Sequence, residues 1–347
     1  MAKAVRLSDI GEQLGVSAVT VSKALSGQKG VSDDLRQRII ELADELGYTK
    51  TKSGVEEKKS YTLGLVVAER YLKEGQSFYW NLYQEVLQKA IARNCFLILE
   101  VITYEAEREP ELPKVLSEQK IDGIIIMGTF KAEYVSFLAE NIKIPSLSLD
   151  TLGIMDTHDS VVSNNLMGGY RMTNYLFEMG HSRIGFVGTR LATDSIDDRY
   201  LGYLKSLMAH GVRQKEEWII EDRDREMGRI DPGKKFCLPE EMPTAFFCNC
   251  DVAADILIHK LNAAGYMVPE DISVAGFDNY LISQSGKPGI TTYEIHIDEM
   301  AERAVHILVH KLKNMNYSTG VFLLPGTFIE RDSVRRIGSA VPFISAK

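Results

Sequence analysis

Ala18, Val19, Thr20, Ser22 and Lys23 stand at the start and on the outer side of a short helical stretch that follows a Gly15-Val16-Ser17 turn. From that placement side chains reach base edges in the major groove of duplex DNA. Thr20, Ser22 and Lys23 can hydrogen-bond there, and Ala18 and Val19 can lie against thymine methyl groups. Far along the chain, Asp278 follows S-V-A-G-F and Asp150 follows I-P-S-L-S-L, each at the end of an apolar run. Carboxylates beyond the carboxyl ends of strands can accept pairs of hydroxyl hydrogen bonds. Phe78, Tyr79 and Trp80 add aromatic faces that stack on sugar rings or bases. Catalytic spacing is absent: seven histidines are scattered, no G-x-S-x-G or H-E-x-x-H occurs, and Gly168-Gly169 opens a helix without a phosphate-loop pattern. His181, in a G-H-S-R turn, reads as structural, and neither an enzyme nor a cofactor is expected.

The elements that position these groups follow from periodicity. Leu7, Ile10 and Leu14 recur at helical spacing, Gly15 permits a left-handed end, and Ser17 can cap a second helix whose Val21, Ala24 and Leu25 face inward. Ser32 caps a third helix carrying Leu35, Ile39, Leu42 and Leu46, which Gly47 stops. The stretch 49–62, T-K-T-K-S-G-V-E-E-K-K-S-Y-T, is charged and reads as a linker. Beyond it strands and helices alternate. T-L-G-L-V-V-A, C-F-L-I-L-E-V and I-D-G-I-I-I-M are strands, with helices expected over Trp80–Asn94 and Pro110–Gln119. After Val161 the rhythm restarts, with helices over Gly168–Met179, Asp198–His210 and Val252–Ala264 between strands R-I-G-F-V-G, T-A-F-F-C and S-V-A-G-F-D. Such alternation implies an α/β body of parallel sheets in two similar lobes, behind an all-α helix-turn-helix headpiece.

Composition fits this plan. The 347 residues, 45% hydrophobic, suffice for two or three units with a sizeable core. The net charge of -8 is uneven: residues 1–60 hold ten Lys+Arg against nine Asp+Glu. An acidic body then repels DNA while the headpiece grips it. Cys95, Cys237, Cys248 and Cys250 make no disulfide or metal framework. The N-terminal M-A-K-A-V-R-L has no signal character and no apolar run spans a bilayer, so a cytoplasmic protein without membrane contact is expected.

The order L-x-D-I-x-x-x-x-G-V-S-x-x-T-V-S-K-x-L, then V-S, then E-L-G-Y, over residues 7–48, resembles the headpiece of the LacI/GalR transcription factors. The resemblance implies that Ser17, Ala18, Val19, Thr20, Ser22 and Lys23 enter the major groove of an operator, while Lys29, Ser32 and Tyr48 hold its phosphates and Arg6 belongs to the same DNA-binding set. It also implies a hinge that wedges a leucine into the minor groove; here only Val55 is available, as wedge or as part of a plain tether. One headpiece reads one half-site, so a homodimer on palindromic double-stranded DNA is expected.

The body resembles the periplasmic-binding-protein type I fold of the same family, through G-H-S-R-I-G-F-V-G at 180–188, G-Y-M-V-P-E-D-I-S-V-A-G-F-D-N at 265–279, T-T-Y at 291–293 and F-I-E-R-D-S at 328–333. That implies a headpiece at 1–49, a linker at 50–60 and an effector-binding and dimerisation domain at 61–347, with lobe 1 at 61–162 plus 292–322 and lobe 2 at 163–291 plus 323–347. It places Asp278 and Arg199 on an effector between the lobes, with Asp150 at a further polar position and the aromatic trio near the first lobe's ligand loop. Relatives usually show A-N-D where this chain has N-C-D, so Cys250 takes the asparagine position and the asparagine's hydrogen bond is either lost or supplied by Asn249. The competing reading makes Asp150 and Asp278 turn caps and Arg199 a helix-surface charge. A sugar or oligosaccharide effector follows from the aspartates, arginine and aromatics. The alternatives are a phosphorylated carrier protein docking around Lys73–Trp80 and the helix from Glu299, or a nucleobase.

Overall fold

The structure, a computed structural model, describes residues 6–25, 30–46, 60–72, 77–152, 158–225, 228–280, 288–313 and 319–344. The chain divides into two compact units, Met1–Ser60 and Tyr61–Lys347. Lys29, Tyr48 and Val55, expected at the DNA surface, lie outside the described residues, as does Lys73.

The first unit is three helices, α1 (Leu7–Leu14), α2 (Ala18–Leu25) and α3 (Asp33–Glu45). Ile10, Val21, Ala24, Ile39 and Ala43 form its core. Gly15 takes φ +67°, a left-handed conformation that costs glycine nothing and turns the chain directly after α1. The Ser17 hydroxyl then accepts the Thr20 N–H at 3.1 Å, satisfying one of the free donors at the start of α2. At the other end of α2, the Arg36 guanidinium donates to the Ala24 carbonyl at 2.8 Å and so ties α3 to α2.

In the second unit the order is β1 (Tyr61–Ala68), α4 (Phe78–Ala92), β2 (Cys95–Ile102), α5 (Tyr104–Arg108), α6 (Lys114–Ser117), β3 (Gly123–Met127), α7 (Ala132–Asn141), β4 (Ser146–Leu149), β5 (Asp159–Ser163), α8 (Asn165–Glu178), β6 (Ile184–Val187), α9 (Asp194–Ala209), β7 (Ile219–Ile220), β8 (Ala245–Cys248), α10 (Asp251–Ala263), β9 (Ser273–Ala275), β10 (Thr292–Glu294), α11 (Ile297–Lys313), β11 (Val321–Leu324) and β12 (Thr327–Ile329). One parallel sheet has the order β11-β5-β4-β3-β1-β2, a second β7-β6-β8-β9, and β10 pairs with β12 in a short antiparallel ribbon. The chain leaves the first sheet after Ser163, returns through β10 to α11, which packs against α4, and leaves again after Leu324. Both sheets are wholly parallel, and the central strands of the first are covered on both faces, as the buried runs Leu63–Ala68 and Ile124–Met127 show.

Two sequence expectations are corrected. The helix expected over Pro110–Gln119 is only the four-residue α6, because Pro113 supplies its start and the Glu100 carboxylate, from β2, accepts the Lys114 and Val115 N–H groups at 2.8 and 2.9 Å. Helices α4, α8, α9 and α10 begin earlier than the apolar pattern placed them, because Ser77, Asn164, Thr193 and Cys250 cap them through side-chain bonds to Trp80, Met167, Ile196 and Ala253. Capping chemistry, rather than the first apolar residue, sets a helix start.

His181 is buried, with its ring nitrogens against Thr244 Oγ1 at 3.0 Å and the Arg335 carbonyl at 3.2 Å. Burial, joined by the Arg335 charge, depresses its pKa to about 4, although the Arg335 carbonyl opposes the shift. A histidine depressed when folded contributes stability that is complete above its unfolded pKa of about 6.5 and is lost as pH falls towards 4. The native chain is therefore expected to lose about 2 kcal/mol between pH 7 and 5 at this site. Urea melts of the native chain and a His181→Asn variant at the two pH values should differ in slope; parallel losses would remove His181 from the account.

Candidate effector cleft and nucleic-acid interface

At the carboxyl ends of both sheets the second unit encloses a cavity of about 440 Å³. This is within the size range of small-molecule sites, and it lies where strands of two open sheets end. Strand β4 delivers Asp150, at φ +59°, and β9 delivers Asp278, at φ +90°. The Tyr79 hydroxyl donates to Asp150 Oδ2 at 2.8 Å, and Asp150 Oδ1 has no donor. Burial pushes the Asp150 carboxyl up to about 6 and the Asp278 carboxyl up to about 7, with the Arg199 charge pulling the other way in both.

Arg199 reaches the cavity because α8 and α9 touch backbone to backbone. A Cβ on Gly169 would lie 2.4 Å from the Arg199 carbonyl oxygen, and one on Gly202 2.2 Å from that of Leu166. At this separation Arg199 Nε donates to Asn165 Oδ1 at 2.9 Å and Nη1 to the Asn249 carbonyl at 2.6 Å, while the guanidinium lies 4.0 Å over the Phe277 ring. Two neutral oxygens and an aromatic face hold the group in place and leave its charge unneutralised by direct contact.

Phe78 and Tyr79 line the cavity, their rings edge to face at 5.3 Å, and Tyr71 packs on Tyr79 at 4.2 Å. Trp80 departs from the expectation: it is not among the lining residues and sets its ring 5.4 Å from Tyr83. The cause is helix phase, since residues 79 and 80 of α4 point about 100° apart. Asn249 and Cys250 also line the cavity, but their polar atoms are committed. Asn249 Nδ2 donates to the Val187 carbonyl at 2.9 Å and Asp222 Oδ2 at 2.7 Å, and Oδ1 accepts from Arg223 at 3.1 Å. The Cys250 sulfur accepts the Ala253 N–H at 3.4 Å, and burial pushes the thiol up to about 12, so it stays protonated.

Sequence reasoning missed Arg70, Tyr71, Arg223, Arg229 and Tyr280, which share the cavity. Arg70 and Tyr71 lie directly beyond β1, so the strand-end rule used for Asp278 would have found them. Arg223 lies beyond β7, a two-residue strand too short to show as an apolar run. Two of these arginines are already neutralised: Arg70 by Glu107, itself buried, with Arg70 Nη2 donating to Glu107 Oε1 at 3.1 Å, and Arg223 by Asp222 at 2.7 Å.

In the first unit the expected DNA-facing residues of α2 form one outward side. Ala18, Val19, Ser22 and Lys23 are exposed, Val19 to 64%, and Thr20 is half-buried, its N–H and hydroxyl both against Ser17 Oγ. An apolar β-branched side chain left this open on a reading helix is available for methyl contact. Arg6 is exposed and donates its backbone N–H to Asp9 Oδ2 at 2.8 Å; Ser32 is exposed just ahead of α3.

Among the described residues no group of His, Cys, Asp and Glu could hold a metal ion, and no helix is long and apolar enough to cross a membrane. Residues 6–50 match the family model described as bacterial regulatory proteins, lacI family, and residues 173–334 match that of the periplasmic binding protein-like domain. Between them the two spans take in more than half of the chain. A curated relative, the HTH-type transcriptional repressor PurR of Vibrio vulnificus (strain CMCP6), is 25% identical over 334 residues, covering 95% of this chain and 99% of that protein. A solved complex of the transcriptional regulator CelR with cellobiose shares the fold at a TM-score of 0.66 and 21% identity, covering 95% of this chain and 99% of that one. The lac repressor dimer bound to operator and the anti-inducer ONPF does so at 0.63 and 20%, covering 96% and 100%. A helix-turn-helix unit ahead of a two-sheet body, matched by both family models in that order, makes this chain a member of the lacI family of bacterial regulatory proteins: a DNA-binding repressor and not an enzyme.

Proposed function

We propose that this repressor is a cytoplasmic homodimer that holds a palindromic operator and changes its grip when a sugar fills the cleft between the two sheets. The carrying observation is the convergence of Asp150, Asp278 and Arg199 in one aromatic-walled cavity of about 440 Å³. Carboxylates accept hydroxyl pairs, a fixed guanidinium donates to ring and hydroxyl oxygens, and Tyr71, Phe78 and Tyr79 supply flat apolar faces. A ligand touching both sheets favours the closed arrangement of the lobes, and its differential affinity for that arrangement is the free energy available to shift DNA binding. The cellobiose in the CelR complex supports the reading as an example from the same fold.

The test is operator binding by gel shift or anisotropy, on a site found by selection, with a panel of neutral and acidic hexoses, cellobiose, adenine, guanine, hypoxanthine and a phosphorylated carrier protein. A sugar that shifts affinity supports the proposal. A response to nucleobases alone favours the nucleobase reading to which the PurR relative points, and a response to the carrier alone makes the body a docking surface.

On the reading helix, the exposed Ala18 and Val19 are assigned to base contact. Replacing both by hydrogen-bonding residues, as in Ala18→Gln with Val19→Asn, is expected to change the preferred bases at about two operator positions by some tenfold each. Selection of binding sites from random DNA reads this out; an unaltered preference removes these two residues from the reading surface.

A further inference from the structure

The cleft has more guanidinium groups than neutral sugar recognition needs, and one of them makes no ion pair among the described residues. In the lobe-2 region residues 222–225 and 228–231 run as two paired arms of a hairpin. Arg223 pairs with Ile230, Asp224 N–H donates to the Arg229 carbonyl at 2.8 Å, and Asp231 N–H donates to the Asp222 carbonyl at 3.0 Å. Its far end leans on Arg70 from the other sheet: a Cβ on Gly228 would lie 3.1 Å from Arg70 Cδ. The hairpin thus gathers Arg223 and Arg229 to the side of the cavity that Arg70 already occupies.

The four cavity arginines are unequally satisfied. Arg70 has Glu107 and Arg223 has Asp222 as direct carboxylate partners. Arg199 has only neutral acceptors and a ring. Arg229 Nε is buried without an acceptor, and Arg229 makes no ion pair among the described residues. A buried N–H without a partner is a standing cost, and a guanidinium in that condition is the group best matched to a planar, bidentate anion. The two carboxylates in the wall do not offset it fully, because burial favours their neutral forms, most strongly for Asp278.

We propose that the ligand of this cleft is an acidic sugar, whose carboxylate or phosphate docks on Arg229 beside Arg70 and Arg223 while its hydroxyls face Asp150 and Asp278. This rests on the sugar reading of the cleft and adds the charge of the ligand to it. Arg229 then acts as a specificity residue: a neutral hexose brings no counter-charge to the guanidinium at the cavity wall, and an acid does.

Titration calorimetry of the full-length protein with glucose, glucuronate, gluconate and glucose 6-phosphate, and with galactose and galacturonate, tests this. At least one acid is expected to bind tenfold or more tightly than its neutral parent, with the carboxylate and phosphate arms identifying which anion is taken. Arg229→Gln is expected to lower affinity for that acid at least tenfold and leave the neutral parent within twofold, and Arg229→Lys, which keeps the charge but loses the fork, to fall between. Neutral sugars binding as tightly as the acids, or an Arg229→Gln variant that binds the acid unchanged, would overturn the proposal while leaving the cleft a sugar site. No binding by any sugar or acid would overturn the sugar reading itself, and this inference with it.

Discussion

Asp278→Asn is expected to cut affinity for the effector sugar about a hundredfold while leaving operator binding in the absence of sugar, and the stability of the fold, intact or improved. The two halves of this result have separate causes. At pH 8, above the raised Asp278 pKa of about 7, the ionised carboxylate accepts two charge-assisted hydroxyl bonds, each contributing about 1.5–3 kcal/mol, and an amide retains only one acceptor oxygen at lower strength. The fold, in contrast, gives little to the charge. Asp278 accepts the Tyr280 N–H at 3.1 Å, a bond that the asparagine oxygen can keep, and asparagine tolerates the positive φ of this position. Nearby, Asp251 is fully buried with Oδ2 unpartnered, and burial together with the Asp278 charge holds its carboxyl well above the usual range. Removing one of two facing buried carboxylates relieves that repulsion. Calorimetry with the hexose or hexose acid that shifts operator binding, alongside thermal melts, reads both halves. If affinity for the sugar is unchanged, Asp278 caps its turn and nothing more, and the alternative assignment of this aspartate stands.

That alternative shows where the sequence was readable and where it was not. The headpiece was legible almost residue by residue, because its signals are local: Gly15 for a left-handed turn, Ser17 for a cap, and apolar residues at helical spacing determine α1 and α2 without help from distant chain. The buried strands were legible for the same reason, since strands covered on both faces appear as continuous apolar runs such as Gly123–Met127. Asp150 and Asp278 could be placed at one cavity because a strand end is itself a position in space. What could not be read depends on contacts between distant segments. Whether Tyr79 or Trp80 faces the cleft is decided by where Ser77 starts α4, and whether Arg229 lines the same cavity as Arg70 is decided by paired arms too short to register as a pattern. Asn249 was expected to offer its amide to a ligand, and instead spends it on Val187, Asp222 and Arg223, three partners that no spacing rule connects. Pro113, by contrast, is a local signal: a proline at the N-cap confines α6 to the residues that follow it.

The glycines of α8 and α9 carry the other large expected effect, and they too make sense only in three dimensions. In the sequence Gly168, Gly169 and Gly202 are merely helix residues with poor propensity, which on an isolated helix cost about 1 kcal/mol each relative to alanine. In the fold Gly169 and Gly202 let two backbones meet, while Gly168 makes room for the Phe277 ring. A Cβ at Gly202 would sit 2.2 Å from the Leu166 oxygen and 2.6 Å from the Tyr170 nitrogen, both main-chain atoms that cannot rotate away. Gly202→Val must therefore push α9 off α8 as a body, breaking the buried Ser206–Asn174 hydrogen bond of 2.6 Å and the 2.9 Å bond from Arg199 to Asn165. Overpacking usually costs about 1–3 kcal/mol where side chains can yield, and a clash with rigid backbone belongs at or beyond the upper end. We expect a loss of about 3 kcal/mol or more, seen as a fall of roughly 5–10 °C in Tm, together with loss of the sugar response. Arg199→Ala provides the contrast, because it removes the cleft guanidinium without separating the helices: it should lose the sugar response with a much smaller change in Tm. If Gly202→Val melted with the native chain, the close approach of α8 and α9 would not be what fixes Arg199 in the cleft.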